Sequence, residues 1–294
     1  MSAAAIAYLG PEGTFTQEAA LAYVRRALDR QRQGEVSEPT LIPLPSIPDV
    51  LHEVAGGHAG SGVVPLENAI EGSVVLTLDL LIHEVDLKIR GEIVIPVRHN
   101  LMARPGLRLA DIRSVISHPQ ALAQCRRRLR ELLPGVPTQP ALSTAEAARQ
   151  AAAQEGAAAI GTALAARLYG LNILVPDVQD VSENATRFCV VGRELAERSG
   201  YDKTSIVFAF PEDRPGQLCD ALSEFASRGV NLTKLESRPA RRTLGEYLFI
   251  ADCEGYWTDP PLAAALAAVR AKSGFFKVLG SYPRARYGPR NGCA

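Results

Sequence analysis

The chain has 294 residues, enough for two domains, and its 32 lysine and arginine residues balance 32 aspartate and glutamate residues. This neutral balance gives no electrostatic reason to expect a nucleic acid or a membrane surface as a partner. Five scattered cysteines without C-x-x-C spacing indicate neither a disulfide framework nor a zinc site, and no apolar run approaches the ~20 residues of a membrane span.

The N-terminus lacks the basic segment of an export signal, so we expect a cytoplasmic protein. His52, His58 and His83 have no companion at metal-ligand spacing, so the sequence predicts no metal and no cofactor. The basic run at 126–130 is interpreted as the solvated face of a helix.

The first predicted element is a short strand at 6–9, followed by a loop at 10–16 and an amphipathic helix. Thr14 or Thr16 is the candidate N-cap of that helix. A loop that enters a helix exposes backbone N–H groups, which suit an anion. An ordinary turn between a strand and a helix is the alternative interpretation.

Residues 29–40 are polar and loop-like, and a helix is predicted around 47–54. The glycines at 57, 60 and 62 loosely resemble a nucleotide-binding loop. They precede the strand Val63-Val64 instead of following one, so we interpret them as a flexible turn.

A group of polar residues follows that strand and opens a helix from Val74 to roughly Glu84, with Ser73 as its predicted cap. The group contains the Glu67 carboxylate and the Asn68 amide. Open α/β sheets bind ligands at the carboxyl ends of their strands, so we expect these residues to form part of a site.

A second lobe is predicted after residues 87–97, which have the pattern of paired strands. The lobe comprises strand 114–117, helix 119–133, helix 144–154, strand 157–160, helix 162–169 and strand 173–175. The Ala-rich region at 141–168 is interpreted as helix packing. A last strand at 186–191 crosses back, which predicts a clamshell with a cleft between its lobes.

Residues 183–188 are the most informative stretch, because a polar segment with an amide and a hydroxyl runs directly into an apolar strand. If the chain is extended here, alternation puts Asn184, Thr186 and Phe188 on one face and Arg187 on the other. Residues 118–121 lie at a strand-to-helix junction and are expected to face the same cleft.

The C-terminal part predicts a ferredoxin-like βαββαβ module after a charged linker at 193–203. Its predicted elements are strand 205–210, helix 215–227, strand 231–236, strand 246–253, helix 262–271 and strand 276–280. Residues 283–294, rich in Pro, Gly and Arg, are expected to be a frayed tail.

These stretches together resemble the prephenate dehydratase family. The matching segments are 10–16, 65–68, 117–121 and Asn184 with 186–188, and the last module resembles an ACT regulatory domain through 214–218 and 236–239. The resemblance implies an α/β fold with a bilobed, type II periplasmic-binding-protein-like catalytic domain. The implied domains are a catalytic domain at 1–192 with its second lobe at about 98–178, a linker at 193–203, an ACT domain at 204–282 and a tail at 283–294.

The resemblance implies decarboxylating dehydration of prephenate to phenylpyruvate in L-phenylalanine biosynthesis, with Thr186 as a hydrogen-bond donor to the departing hydroxyl. Asn68 and Glu67 are the other candidate catalytic residues, and we expect Glu67 to anchor Asn68 more readily than to act as a general acid. The candidate substrate-binding residues are Gly13, Thr14, Phe15, His118, Gln120, Ala121, Asn184, Arg187 and Phe188.

We expect the substrate dianion to be held mostly by backbone N–H groups at Thr14 and Gln120. Because alternation directs Arg187 away from Thr186, we expect Arg187 to brace the interface between the lobes.

The resemblance also implies that L-phenylalanine binds the ACT module at a dimer interface in a homodimer or homotetramer. The candidate effector residues are Pro215, Gly216, Gln217, Leu218, Glu236, Ser237, Arg238 and Pro239. A dimerisation module without a ligand is the alternative. The sequence departs from the family pattern at Ala69, where a serine is usual, and at Gln217 and Cys219.

Three other functions fit parts of this pattern. A clamshell with an anion-ready cleft suits an exported solute receptor, although the N-terminus does not read as an export signal. A non-catalytic amino-acid sensor would explain Ala69 but not the retained Thr186. An arogenate dehydratase would differ only in the side chain of its substrate.

Overall fold

The computed structural model describes residues 5–30, 39–212, 214–240 and 247–285. Within these ranges the helices are α1 Phe15–Arg30, α2 Ile47–Ala55, α3 Val75–His83, α4 Pro119–Gln124, α5 Arg126–Leu132, α6 Thr144–Ala153, α7 Ala163–Leu168, α8 Gln217–Ala226 and α9 Pro260–Lys272. None of the helices in the described part of the chain is both long and apolar enough to cross a membrane.

The strands of the described residues are β1 Ile6–Leu9, β2 Leu41–Leu44, β3 Ser61–Asn68, β4 Gly72–Ser73, β5 Lys88–Pro96, β6 Asn100–Ala103, β7 Ser114–Ser117, β8 Thr138–Pro140, β9 Ala157–Gly161, β10 Asn172–Val175, β11 Ala185–Gly192, β12 Asp202–Ala209, β13 Leu232–Pro239, β14 Tyr247–Glu254 and β15 Phe275–Pro283. The chain forms two compact units. The first contains residues 1–50, 63–74 and 93–188, and the second contains 51–62, 75–92 and 189–294.

The first unit has two lobes, each built on its own sheet. In one lobe the strands follow the order β5-β11-β3-β1-β2, and β1 pairs with β2 in parallel. In the other lobe the order is β10-β6-β9-β7-β8, with β7 parallel to both β8 and β9. The parallel strands deliver their carboxyl ends, and the loops that follow them, to one edge of each sheet.

Small side chains set the packing of the second lobe. Ala147, Ala148 and Ala151 of α6 are fully buried in one cluster with Ala157 and Ala159 of β9. Because alanine has no side chain beyond Cβ, the helix can approach the sheet closely. This confirms that the Ala-rich region serves helix packing.

Several predicted elements of the first unit are wrong. The sequence predicted paired strands at 87–97, but residues 88–96 form the single strand β5. A tight hairpin turn would require positive φ, which Gly91 does not have. The helix predicted at 119–133 breaks at Cys125, where the Asp180 carboxylate accepts the Arg127 and Arg128 N–H groups at 3.0 and 2.9 Å and so caps α5.

The segment around Asn68 also differs from the prediction. Glu67 and Asn68 lie inside β3, and Ser73 pairs with Glu67 in the short strand β4. The next helix begins only at Val75, so Ser73 is not its N-cap residue. This hairpin turns the Asn68 side chain toward β11 instead of placing it on a helix start.

The second unit contains the predicted βαββαβ module, with antiparallel strands in the order β13-β14-β12-β15. Helices α8 and α9 cover one face through a core that includes Phe208, Phe225 and Leu266. The alternation of period-2 and period-3.6 patterns therefore predicted this fold correctly.

The module is longer at both ends than predicted. Asp202 and Lys203 belong to β12 instead of the linker, and Lys203 Nζ lies 3.0 Å from Glu92 Oε2 in a buried ion pair. At the other end β15 continues to Pro283, and the Ala285 N–H donates to Glu92 Oε1 at 2.8 Å. The start of the predicted tail is thus anchored, and residues 286–294 lie outside the described residues.

Helix α3, also in the second unit, is held at both ends by the C-terminal module. Arg238 lies 3.2 Å from the Asp79 carboxylate and donates to the Val75 carbonyl at 3.4 Å. Lys277 Nζ donates to the Leu81 carbonyl at 2.7 Å, near the last turn of α3. A cation at a helix C-terminus is stabilising, so these contacts fix α3 to the module.

Candidate active site

A cavity of about 1140 Å³ lies in the first unit and is lined by both of its lobes. Most of the predicted substrate and catalytic residues line it, namely Thr14, Phe15, Asn68, His118, Gln120, Ala121, Thr186 and Phe188. The remaining four, Gly13, Glu67, Asn184 and Arg187, lie behind the lining residues in contacts described below.

The Thr186 hydroxyl has a defined orientation because of its neighbour Asn68. The backbone N–H groups of Ile70 and Glu71 donate to Asn68 Oδ1 at 3.0 and 3.2 Å, which identifies the oxygen of that amide. Asn68 Nδ2 therefore faces Thr186 and donates to its Oγ1 at 2.9 Å. Since Oγ1 already accepts this bond, the Thr186 O–H remains a donor toward a ligand in the cavity.

Arg187 and Glu67 form an ion pair on the other side of these strands. Arg187 donates to Glu67 Oε2 from Nε at 3.1 Å and from Nη2 at 2.7 Å. Neither residue lines the cavity. Side chains alternate between the two faces along β3 and β11. Asn68 and Thr186 therefore point to the cavity, while the residues next to them in the chain, Glu67 and Arg187, point away.

The predicted anion loop forms the start of α1. Thr14 Oγ1 accepts the Gln17 N–H at 3.4 Å, so Thr14 is the N-cap residue. Gln17 Oε1 in turn accepts the Gly13 N–H at 2.6 Å. Thr14, Phe15 and Thr16 line the cavity at this helix start, where backbone N–H groups and the helix dipole favour a negative charge.

Gly13 lies where the two lobes of the first unit touch. Its φ is +89°, and a Cβ at this position would lie 3.1 Å from the Ala165 Cβ. The Thr162 hydroxyl of the second lobe donates to the Gly13 carbonyl at 2.7 Å. The glycine thus serves close approach of the lobes, which explains its place in the loop without a direct role in the cavity.

His118 caps α4 with its ring. Its Nδ1 accepts the Gln120 N–H at 3.3 Å, so that amide, which the sequence predicted to hold an anion, has a partner already. The His118 and Gln120 side chains still line the cavity.

The sequence analysis missed several cavity residues, above all His99 and Gln124. Gln124 Oε1 accepts from Asn184 Nδ2 at 3.3 Å and lies 3.1 Å from His99 Nε2. The His99 ring packs edge-on against Phe15, with the ring centroids 5.5 Å apart. No sequence motif marked these residues, because their partners lie far away along the chain.

His99 is 3% exposed, and burial lowers its pKa while the hydrogen bond with Gln124 opposes that shift. A ring that loses its water shell in this way stays neutral at physiological pH.

A second buried group, Tyr8, has its pKa raised to about 12 by burial and by Glu12 and Tyr169. Its hydroxyl has no hydrogen-bond partner among the described residues.

A second cavity of about 550 Å³ lies in the C-terminal module. Of the predicted effector residues, Gly216, Gln217 and Leu218 line it, together with Cys219 and Tyr247. Pro215 and residues 236–239 are not among its lining residues, and Arg238 of that run instead contacts α3.

Among the described residues no cluster of His, Cys, Asp and Glu could hold a metal ion.

Comparisons with known proteins agree with this geometry. Residues 6–196 match the family model described as prephenate dehydratase, and residues 205–271 match the ACT domain. The prephenate dehydratase of Mycobacterium tuberculosis (strain ATCC 25618 / H37Rv) is 41% identical over 280 residues, which cover 95% of this chain and 86% of that protein.

Two solved structures are similar over nearly the whole chain. The prephenate dehydratase of Arthrobacter aurescens, solved in complex with L-Phe, is 40% identical with a TM-score of 0.83 and covers 97% of this chain and 94% of its own. GqqA, described as a novel type of quorum quenching acylase, is 33% identical with a TM-score of 0.80 and covers 95% of this chain and 98% of its own.

The fold and the matches define a carbon–oxygen lyase with a two-lobed α/β catalytic domain and a C-terminal ACT domain, which confirms the predicted α/β class and the C-terminal ACT module. The chain belongs to the prephenate dehydratase family.

Proposed function

We propose that the cavity of the first unit converts prephenate to phenylpyruvate, carbon dioxide and water, as a step of L-phenylalanine synthesis. The ring carboxylate leaves as carbon dioxide, its bonding electrons enter the ring, and the ring hydroxyl departs with a proton to form water. The observation that carries the proposal is the Thr186 hydroxyl, which Asn68 leaves free to donate into the cavity.

Thr186 assists the departing hydroxyl. An alcohol is a weak acid, but a hydrogen bond that strengthens as the C–O bond breaks, or a relayed proton, accelerates such a step by about 10²–10⁴-fold. The first-turn amides of α1 supply the positive potential for a carboxylate of the substrate. Glu67 anchors Arg187 in this account, and the pair holds β3 against β11.

The choice of substrate is tested by comparing kcat/KM for prephenate and for arogenate with the same preparation. We expect turnover of prephenate with the larger kcat/KM. Turnover of arogenate alone would make the chain an arogenate dehydratase. Hydrolysis of an acylated amine with no turnover of either diene would contradict dehydration and favour the activity for which GqqA is named.

We further propose that L-phenylalanine binds the cavity of the C-terminal module and inhibits the reaction. The similar Arthrobacter aurescens protein was solved in complex with L-Phe, and this chain carries an ACT domain. The module contacts both ends of α3, and Val74, the residue before α3 in the chain, lines the substrate cavity. A bound effector can therefore influence the cavity through α3 and the chain connection to Val74. A coupling of about 1–3 kcal/mol is typical of such regulation.

Replacing Gly216 with tryptophan should abolish binding of L-phenylalanine measured by titration calorimetry. Gly216 lines the cavity with a φ of +85°, so the substitution both strains the turn and adds a large ring. Turnover without the effector checks that the variant is folded. Unchanged L-phenylalanine affinity in the folded variant would place the effector site elsewhere.

We propose a catalytic domain at 1–192 and an ACT domain whose strands run from Asp202 to Pro283, with the intervening residues as the linker. We also propose a homodimer or homotetramer in which the ACT modules pair.

A further inference from the structure

We propose that His83 binds the ligand of the second cavity and couples it to helix α3, with Lys277 as the residue that positions His83. The proposal rests on the proposed binding of L-phenylalanine in that cavity. His83 is the last residue of α3, and among the described residues it is the one lining residue that precedes the C-terminal module in the chain. A ligand that fills the cavity therefore meets α3 as well as the module.

The lining of this cavity combines apolar and polar side chains. Phe210, Phe249 and Phe275 offer aromatic surface for the apolar side chain of an amino acid. The ammonium and carboxylate groups of the same ligand need hydrogen-bond partners. A ring nitrogen of histidine accepts from an ammonium when it carries no proton and donates to a carboxylate when it carries one. His83 can therefore serve the polar end of an amino acid.

The backbone around His83 is held by the ammonium group of Lys277. Its Nζ donates to three backbone carbonyls, those of Leu81, Ile82 and Val85, at 2.7, 3.3 and 3.2 Å. An ammonium has three N–H groups, so these carbonyls account for all of its donors. The three residues lie on both sides of His83 in the chain. Lys277 therefore fixes the segment that carries the imidazole ring.

Strand β15 connects Lys277 to the cavity. Phe275 and Lys277 are two positions apart in a regular part of this strand, so their side chains lie on the same face of the sheet. Phe275 lines the cavity, and Lys277 binds the end of α3. One strand thus presents an aromatic ring to the ligand and a cation to the helix.

Helix α3 links the two cavities along the chain. It begins directly after Val74, which lines the substrate cavity, and it ends at His83, which lines the second cavity. Its nine residues span about 14 Å at 1.5 Å per residue. Six of the nine are buried, so a shift at one end is carried along the packed helix. A contact between the ligand and His83 therefore bears on the chain at Val74.

His83→Ala should weaken the binding of L-phenylalanine by about 10- to 100-fold, because a hydrogen bond to a charged group contributes an effect of this size. Titration calorimetry of the 294-residue chain measures the affinity. The L-phenylalanine concentration that halves turnover should rise by a similar factor, with each variant compared with its own uninhibited rate. His52→Ala is the matched control and should bind as the wild type. His52 also lies in the last turn of a nine-residue helix, but it lines neither cavity.

His83→Gln separates a polar contact from simple packing. Glutamine keeps a donor and an acceptor on its side chain, so this variant should recover part of the affinity that His83→Ala loses. An affinity no better than that of His83→Ala would contradict the polar contact and overturn this role of His83.

Lys277→Met tests the positioning of His83. We expect L-phenylalanine to bind about 3- to 10-fold more weakly, a loss of the size of one neutral hydrogen bond. Because Lys277 acts through His83, the double variant His83→Ala with Lys277→Met should bind no more weakly than His83→Ala alone. Lys272→Met, which changes a lysine of α9 paired with Glu224, is the matched control. Additive losses would show that Lys277 does not act through His83, and if Lys277→Met does not fold, the His83 variants still decide the role of His83.

NMR of the histidine rings during titration with L-phenylalanine gives a readout that does not need turnover. We expect a shift of the ring signals that are missing from His83→Ala, and no shift of the His52 signals. Unchanged affinity in His83→Ala, beside binding by the wild type, would overturn the role of His83 and leave the effector cavity in place. A wild type that binds no L-phenylalanine would instead contradict the proposed effector, and the role of His83 with it.

Discussion

Replacing Thr186 with valine is expected to lower kcat for prephenate by about 10²–10⁴-fold with little change in KM. Valine matches the shape of threonine and removes only the hydroxyl that donates into the cavity. Asn68 keeps its bonds to Asn184 and to the Ala185 carbonyl, so the site should retain its structure. Steady-state kinetics with prephenate measure the effect.

Two further variants make this result specific. Thr186→Ser keeps the hydroxyl and should retain partial activity, because the smaller side chain still donates but is less well fixed. Thr138→Val, on the exposed strand β8, repeats the chemical change away from the cavity and should leave kcat unchanged. A Thr186→Val enzyme within a few-fold of the wild type would remove Thr186 from the mechanism.

The second large effect concerns stability. Lys203→Met should lower the free energy of unfolding by about 3–5 kcal/mol, because it removes one partner of a buried ion pair. The side chains of Lys203 and Glu92 are 11% and 4% exposed, and the Asp252 carboxylate lies 3.9 Å from the same ammonium. Urea unfolding measures the change.

Lys88→Met is the matched control for that substitution. Lys88 pairs with Asp86, whose side chain is 86% exposed, and exposed pairs contribute only about 0–1 kcal/mol. The double variant Lys203→Met with Glu92→Gln should lose less stability than Lys203→Met alone, because Glu92→Gln also removes the buried negative charge that Lys203 balanced. Equal losses for Lys203→Met and Lys88→Met would show that the buried pair is not a structural anchor.

The position of Lys203 illustrates what the sequence pattern lacks. A charged segment with weak periodicity has the pattern of a linker, yet Asp202 and Lys203 lie in β12 with buried side chains. Burial of a charge depends on a partner elsewhere, here Glu92, 111 positions away. Local pattern therefore set the end of the linker too far along the chain.

The strand β2 was missed for a different reason. Its residues include Pro43, which cannot donate to a sheet ladder and argues against a strand. In the structure β2 is the edge strand beside β1, a position where proline is tolerated. The order of strands in a sheet is a tertiary property, so the residues of β2 alone do not reveal it.

For the candidate site, alternation along an extended chain predicted which residues share a face. Thr186 and Phe188 line the cavity, while Arg187 between them pairs with Glu67. The contacts of Gln124 were not predictable in this way. Its bonds join residues 60 and 53 positions apart at the end of a short helix, where no periodic pattern marks them.

The most direct test of the central claim is the formation of phenylpyruvate from prephenate by the purified 294-residue chain at neutral pH. Thr186→Val protein at the same concentration serves as the blank and corrects for spontaneous conversion. We predict many turnovers per wild-type chain, with one carbon dioxide released for each phenylpyruvate. Product formation by the wild type no faster than by Thr186→Val would contradict the assignment of the reaction to this cavity.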